Sequence, residues 1–266
     1  MKIALLATGF IAHNHAAEIL KIPGLDLVGV VDQDREKGEK FASDYKTKYF
    51  SSFDDLLKEE SVDIADICLP TNLHKEYTLK CAEKGIHVLC EKHMTLRHED
   101  GEEMIDACKK NGVKLMVAHV LRFWPEYQVI KEVYDSGELG RIGLGHLARL
   151  SSMPAWSKFY DTPEISGGGL YDIQLHDVDY CCYLFGKVAK VYALGYQNKK
   201  GAWNNLNTSL KFENGANISI AACQEMSENY PFTMHLRLLG DKGTIEFSHI
   251  ARQLLRGEVP HVPATC

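Results

Sequence analysis

Short apolar runs alternate with amphipathic, charge-rich stretches through the first 120 residues, and the pattern changes character after that. Residues 2–6 and 25–31 are mostly apolar runs, broken only by Lys2, Asp26 and Gly29, as expected of strands buried on both faces. Each leads into a helix-period segment: one opens at 9–12 and ends near Pro23-Gly24, and the other covers 34–45 and is rich in Glu and Lys. The alternation continues with strands at 63–69, 87–90 and 113–118 and helices at 75–85 and 96–111, with a loop at 70–74. This βαβ order predicts a doubly wound parallel sheet of Rossmann type. Beyond Arg122 the pattern predicts a helix over 124–136 stopped by Gly137, an alternating strand at 145–152 and a helix from about 169 to 185. Only strands follow, at 188–196, 205–212, 217–224, 232–239 and 243–247, with Glu213-Asn214-Gly215 and Gly240-Asp241-Lys242-Gly243 as hairpin turns. Helices followed by consecutive strands predict an α+β domain on a large, open, mostly antiparallel sheet. The chain is therefore expected to form an α/β domain over 1–120 and an α+β domain over 121–266.

Composition narrows the function classes. The 266 residues carry a formal net charge of −6, with basic residues scattered, so nucleic acid and anionic membrane are poor partners. No apolar run is long enough to span a bilayer, and the apolar start is needed as the first strand and turn, which argues against a signal peptide. Eight cysteines without C-x-x-C spacing indicate a reduced, cytoplasmic protein. A zinc site from His87, Cys90 and His93 is disfavoured because His87 and Cys90 would point to opposite faces of one strand, so no metal is expected.

The candidate chemistry lies at strand ends and on one helix. Asp32 ends the second strand roughly 20 residues after the turn at Gly9, the arrangement that places a carboxylate on a ribose and a pyrophosphate at a helix N-terminus. The glycine signature is degraded, since Ala7 stands where the tight turn favours glycine. Asp32, the 70–74 loop and Lys92 all follow strands and should share one rim. In the second half, Gly167-Gly168-Gly169 runs into a helical pattern carrying Asp172 and His176, four residues apart and so on one face. A carboxylate beside an imidazole fixes its tautomer and raises its basicity, although a helix-start acid and a packed histidine would look the same.

In this order these motifs resemble those of the glucose-fructose oxidoreductase, inositol dehydrogenase and MocA-type family of nicotinamide-dependent oxidoreductases. The resemblance rests on residues 9–12 with His15, 69–74, 85–92 ending in Glu91-Lys92, 122–125, 136–142, and the glycines 167–169 with Asp172, His176 and Asp179. It runs from the first strand to about Phe247. It implies hydride transfer between NAD, or alternatively NADP, and a C–OH or C=O group of a sugar, inositol or related polyol. It implies cofactor contacts from Gly9, Phe10, Ile11, Asp32, Arg35, Leu69, Pro70, Asn72, His74, Glu91 and Lys92, with a structural role for His74 equally open. Lys92, Asp172 and His176 would be catalytic, with His176 as general base or Lys92 in its place. Arg122 and Trp156 would join Asp172 and His176 around the substrate, or pack between domains. A homodimer or homotetramer through the second sheet is also implied, covering apolar residues such as Ala193, Leu210, Ile218, Ile220 and Leu236.

Three departures stand out. Ala7 replaces the first glycine. His93 replaces the proline after the lysine, so an unusual backbone turn there, a cis bond included, is either relaxed or held without proline. Residues 248–260 resemble the family's late helix but arrive early, and the closing helix is missing, which reads as a truncated chain or an incomplete record. The competing class is a nicotinamide-binding sensor without catalysis. Retention of Lys92, Asp172 and His176 together favours an enzyme.

Overall fold

The computed structural model describes residues 1–154 and 158–251. Trp156 and residues 252–260 of the stretch that resembles the late helix lie outside the described residues; residues 248–250 of that stretch, expected to begin the helix, instead continue the last strand, paired with its neighbour. The chain divides into two compact units, Met1–Ala118 and His119–Cys266.

The first unit runs β1 (Lys2–Leu6), α1 (Phe10–Ile19), β2 (Asp26–Val31), α2 (Arg35–Tyr45), β3 (Tyr49–Phe50), α3 (Phe53–Glu59), β4 (Ile64–Ile67), α4 (Thr71–Glu83), β5 (His87–Cys90), α5 (His98–Lys110) and β6 (Leu115–Val117). Its strands are parallel in the order β3-β2-β1-β4-β5-β6. Alternate residues of β1 feed two cores. Ile3 and Leu5 pack with Ala12, Ala16 and Phe41 on one face, while Ala4 and Leu6 pack with Ile67, Cys81 and Met104 on the other. Burying each such leucine stabilises the fold by about 1.5–3 kcal/mol, which accounts for the mostly apolar runs. The chain order reverses direction in the sheet between β1 and β4, so the crevice beyond their carboxyl ends is the switch point at which such sheets take ligands.

Two elements here were not anticipated. β3 has two residues, too few for a periodicity, and α3 has seven, although Ser52 accepts a hydrogen bond from the Asp55 amide at 3.1 Å as an N-cap should. A correction concerns 70–74, expected as a loop: Thr71 begins α4 directly after Pro70. Thr71 and His74 are both buried on the helix's inner side, and that packing overrides their weak helix propensity.

The second unit begins with a 3-10 turn at Val120–Phe123, followed by α6 (Pro125–Ser136), β7 (Ile142–Ser152), α7 (Pro163–Ser166), a π turn at Leu170–Gln174 and α8 (Leu175–Phe185). β8 (Val188–Gln197), β9 (Trp203–Phe212), β10 (Asn217–Met226), β11 (Thr233–Gly240) and β12 (Thr244–Ile250) complete it. The sheet order is β12-β11-β7-β10-β9-β8, antiparallel throughout except for the parallel pair β7–β10. Tyr127, Ile130, Tyr180 and Leu184 of the helices pack on Leu147, Leu210, Ile218 and Leu236. Arg149 and Asp177 form an ion pair buried within the unit, at 2.8 and 3.0 Å.

The expected open apolar face is corrected here. Leu210, Ile218, Ile220 and Leu236 are buried against the helices, and of the residues expected on that face only Ala193 is exposed. Strict alternation shows that a strand has two faces but not which one is covered. The other face carries Asn207, Ser209, Lys211, Ser219 and Arg237, and the exposed apolar side chains gather instead on β8, where Val191, Tyr192, Leu194 and Tyr196 are each 60–63% exposed.

Candidate active site

In the first unit the loops after β1, β2, β4 and β5 all leave the carboxyl edge of the sheet. Ala7 takes a left-handed conformation (φ +95°) while its amide donates to the Val31 carbonyl at 2.8 Å. The alanine thus adopts the glycine-like turn. Thr8 then donates to Asp32 Oδ2 through its amide (3.0 Å) and its hydroxyl (2.5 Å), and the Asp34 amide donates to Oδ1 at 2.8 Å. Asp32 therefore locks the end of β2 to the β1–α1 turn. Its oxygens keep lone pairs for further donors, since a carboxylate can accept about four bonds.

Gly9 is the N-cap of α1 at φ −71° and ψ 178°, a conformation open to any residue, and a Cβ built there meets nothing within 4 Å. Among the described residues, nothing requires glycine at this position. The open space over its backbone fits the close approach of a pyrophosphate to the start of a helix. Exposed Phe10 and partly buried Ile11 form the first turn beside it.

The remaining expected cofactor residues divide. Leu69 is partly buried, while Pro70 and Asn72 lie exposed at the start of α4. Arg35 is exposed at the start of α2 and bonded to Glu39 at 2.8 Å. His74 is only 1% exposed, with Nε2 at 2.8 Å from the Leu69 carbonyl and Nδ1 at 3.1 Å from that of His93; burial pushes its pKa down. It braces two loops from beneath, the structural role that stands beside a cofactor contact for this residue. Glu91 and Lys92 follow β5, and the peptide bond between Lys92 and His93 is cis.

Behind this rim lies a polar cluster in which only His15 and Glu91 belong to the motifs of the sequence. His15 Nδ1 lies 2.9 Å from Asp66 Oδ2, and its Nε2 lies 3.2 Å from Glu91 Oε1. Glu91 Oε2 accepts the Lys92 amide at 3.0 Å. Burial works against charge on His15, but its interactions with the acceptors Asp66 and Glu91 and with Cys68 outweigh it and raise its pKa to about 12. Among the described residues, His15, Asp66 and Cys68 form the one group close enough to share a metal, with ligand atoms within 4.8 Å of one another. Within the group, His15 Nδ1 lies 2.9 Å from Asp66 and 3.6 Å from the Cys68 sulfur, and burial pushes the Cys68 thiol up to about 12.

In the second unit the three glycines bring the π turn onto the sheet. Gly167 and Gly168 both have φ +69°, and a Cβ on Gly168 would lie 2.9 Å from Asn204 Oδ1. The Gly169 amide donates to that same oxygen at 2.7 Å. This close seat lets buried Gln224 of β10 donate to Asp172 Oδ2 at 2.6 Å. Gln224 and Asn204 were not singled out from sequence. Asp172 and His176 are partly buried at the π turn and the first turn of α8, respectively. Arg122 donates to both oxygens of Asp179, at 2.8 and 2.5 Å, and lies over the Tyr183 ring at 5.0 Å. Its charge is answered within the unit by Asp179.

A parallel sheet with a phosphate-suited turn, a strand-end carboxylate and a strand-end lysine, joined in one chain to an α+β unit, defines a dinucleotide-dependent oxidoreductase architecture. Residues 1–119 match the model of an oxidoreductase family with an NAD-binding Rossmann fold, and residues 127–246 match the GFO/IDH/MocA C-terminal domain. The chain belongs to the GFO/IDH/MocA oxidoreductase family.

It is 29% identical over 248 residues to the oxidoreductase YrbE of Bacillus subtilis, covering 90% of this chain and 71% of that one. It is 28% identical over 256 residues to the myo-inositol 2-dehydrogenase of Thermotoga maritima, covering 92% and 74%. An oxidoreductase of Streptococcus pneumoniae is 32% identical over 191 residues, covering 70% of this chain and 50% of the relative. The chain thus spans between half and three quarters of the length of these relatives. Among solved structures, the WlbA dehydrogenase of Bordetella pertussis, in complex with NADH and UDP-GlcNAcA, superposes with a TM-score of 0.86 at 27% identity, covering 93% of this chain and 78% of that one.

Proposed function

We propose that the protein is an NAD-dependent dehydrogenase of a sugar, inositol or related polyol. The observation that carries this reading is the rim of the first unit, where the Gly9 turn, Asp32 and Lys92 all follow carboxyl ends of parallel strands. NAD bound there would supply the acceptor for the hydride on the carbon that bears the hydroxyl, that carbon becoming C=O as the hydroxyl proton leaves. The protein's own residues have the remaining tasks. The α1 amides at Gly9 hold the pyrophosphate, and Asp32 accepts the adenosine ribose hydroxyls. The Lys92 ammonium steadies negative charge on the reacting oxygen. His176 takes the hydroxyl proton, and Asp172, itself held by Gln224, contacts the reacting hydroxyl beside it. This reading requires the first unit's lysine and the second unit's imidazole to reach the same substrate.

NAD is favoured over NADP because the Asp32 carboxylate would repel a 2′-phosphate, and Arg35 is already paired with Glu39. We assign the exposed β8 residues Val191, Tyr192, Leu194 and Tyr196 to contact with a second copy of the chain. A clean monomer in light scattering would contradict that assignment.

The direct test is a panel of inositols, sugars and sugar acids with NAD and NADP, followed at the nicotinamide absorbance, together with pH–rate profiles of Lys92→Met and His176→Ala. Both variants are expected to lose the hydride-transfer step. A panel without turnover but with tight NADH binding would favour a sensor, and tighter binding of NADPH than of NADH would reverse the cofactor assignment.

A further inference from the structure

Asp66 is a carboxylate with no solvent exposure in the middle of a parallel sheet, where an unanswered charge is strongly destabilising. Its answer comes from α1. The two nitrogens of His15 each face a carboxylate oxygen, Asp66 at 2.9 Å and Glu91 at 3.2 Å. Ionised carboxylates only accept hydrogen bonds, so both contacts are made together only by a ring carrying a proton on each nitrogen. His15 is therefore a cation bridging two anions. The second oxygen of Glu91 accepts the backbone amide of Lys92 at 3.0 Å. A continuous path of ion pairs and hydrogen bonds thus runs from the centre of the sheet through α1 to the main chain of the residue whose ammonium is assigned to the chemistry. Glu91 is tied from behind as well, because its amide donates to the Ile67 carbonyl at 3.0 Å.

We propose that His15 is a positioning residue: clamped between Asp66 and Glu91, it fixes the carboxylate that holds the Lys92 amide and so sets where the Lys92 side chain starts. The inference rests on the assignment of Lys92 made above. A reacting group displaced by about 1 Å loses on the order of a hundredfold in rate, so a clamp on the backbone at this point acts on kcat more than on binding.

The test uses the full chain. In ¹⁵N-histidine NMR at pH 9, one imidazole should keep both nitrogens protonated while ordinary histidines are neutral, and its signal should vanish in His15→Gln. Hydrogen exchange at the Lys92 amide should quicken in Glu91→Gln, a variant that leaves the His15–Asp66 pair in place if His15→Gln folds poorly. With the polyol identified by the panel, each variant should lower kcat by about ten- to a hundredfold with substrate KM unchanged, and His15→Gln should leave NADH affinity unchanged as well. The double variant should be no worse than the more severe single one. A neutral His15, or unchanged exchange at Lys92, overturns the clamp and leaves the reading of the site standing. Wild-type kcat in Lys92→Met overturns the site reading, and the kinetic role of the clamp falls with it. Losses that multiply in the double variant overturn the shared path.

Discussion

Replacing Ala7 by glycine should stabilise the first unit. Ala7 sits at φ +95°, where the Cβ of an L-residue crowds the following carbonyl. The conformational cost is about 1–2 kcal/mol, and glycine removes it. Glycine also gives the unfolded chain more freedom, which takes back about 0.4–1 kcal/mol. The 2.8 Å bond from the residue 7 amide to the Val31 carbonyl survives the change. The balance is a gain of about 0.5–1 kcal/mol, or about 2–4 °C in the melting temperature of a unit this size. The tryptophans, at 124, 156 and 203, all belong to the second unit, so their fluorescence would report the wrong transition. Calorimetry combined with hydrogen exchange of the β1 and β2 amides is the suitable assay. Ala12→Gly is the control, since Ala12 is fully buried in regular helix and should lose about 1 kcal/mol or more. NADH affinity should change little, because the turn already has the glycine-like shape. If Ala7→Gly and Ala12→Gly lower the transition alike, Ala7 is not in the left-handed region and the reasoning fails.

Arg149→Met or Asp177→Leu alone should cost about 3–5 kcal/mol by leaving one buried charge unanswered, while the double variant recovers most of it in the same urea titration. Gln224→Leu removes the donor at 2.6 Å from Asp172 without opening a cavity, so kcat should fall about tenfold or more with the melting temperature nearly unchanged. The folded-state pKa of His15 is raised above its unfolded value, so the stability it contributes is full below about pH 6.5 and declines as pH rises toward about 12. Between pH 7 and 9 the wild type should lose up to about 1.4 kcal/mol per pH unit from this source, in a setting where Asp66, Cys68 and Glu91 face the ring. His15→Gln should flatten that slope in urea midpoints, and an unchanged slope would assign it to another group.

The parallel order of the first unit was legible because strands buried on both faces must be apolar at every position, and β1, β2 and β5 are nearly so. The phase of the second sheet was not, since alternation in β9 and β10 is symmetrical until a helix covers one side. Yet two residues broke the apolar pattern in a readable way. Asp66 interrupts Ile64-Ala65 and Ile67 in a strand too short to reach water, so some distant cation had to meet it, and His15 does. Gln224 continues the stripe Ile218, Ile220, Ala222 on the covered face of β10, where an amide needs a partner in place of an apolar neighbour. That partner is Asp172. A polar side chain on the buried phase of a strand thus identifies one end of a hydrogen bond before the fold is known, and the other end is found among the residues that the chemistry already nominated.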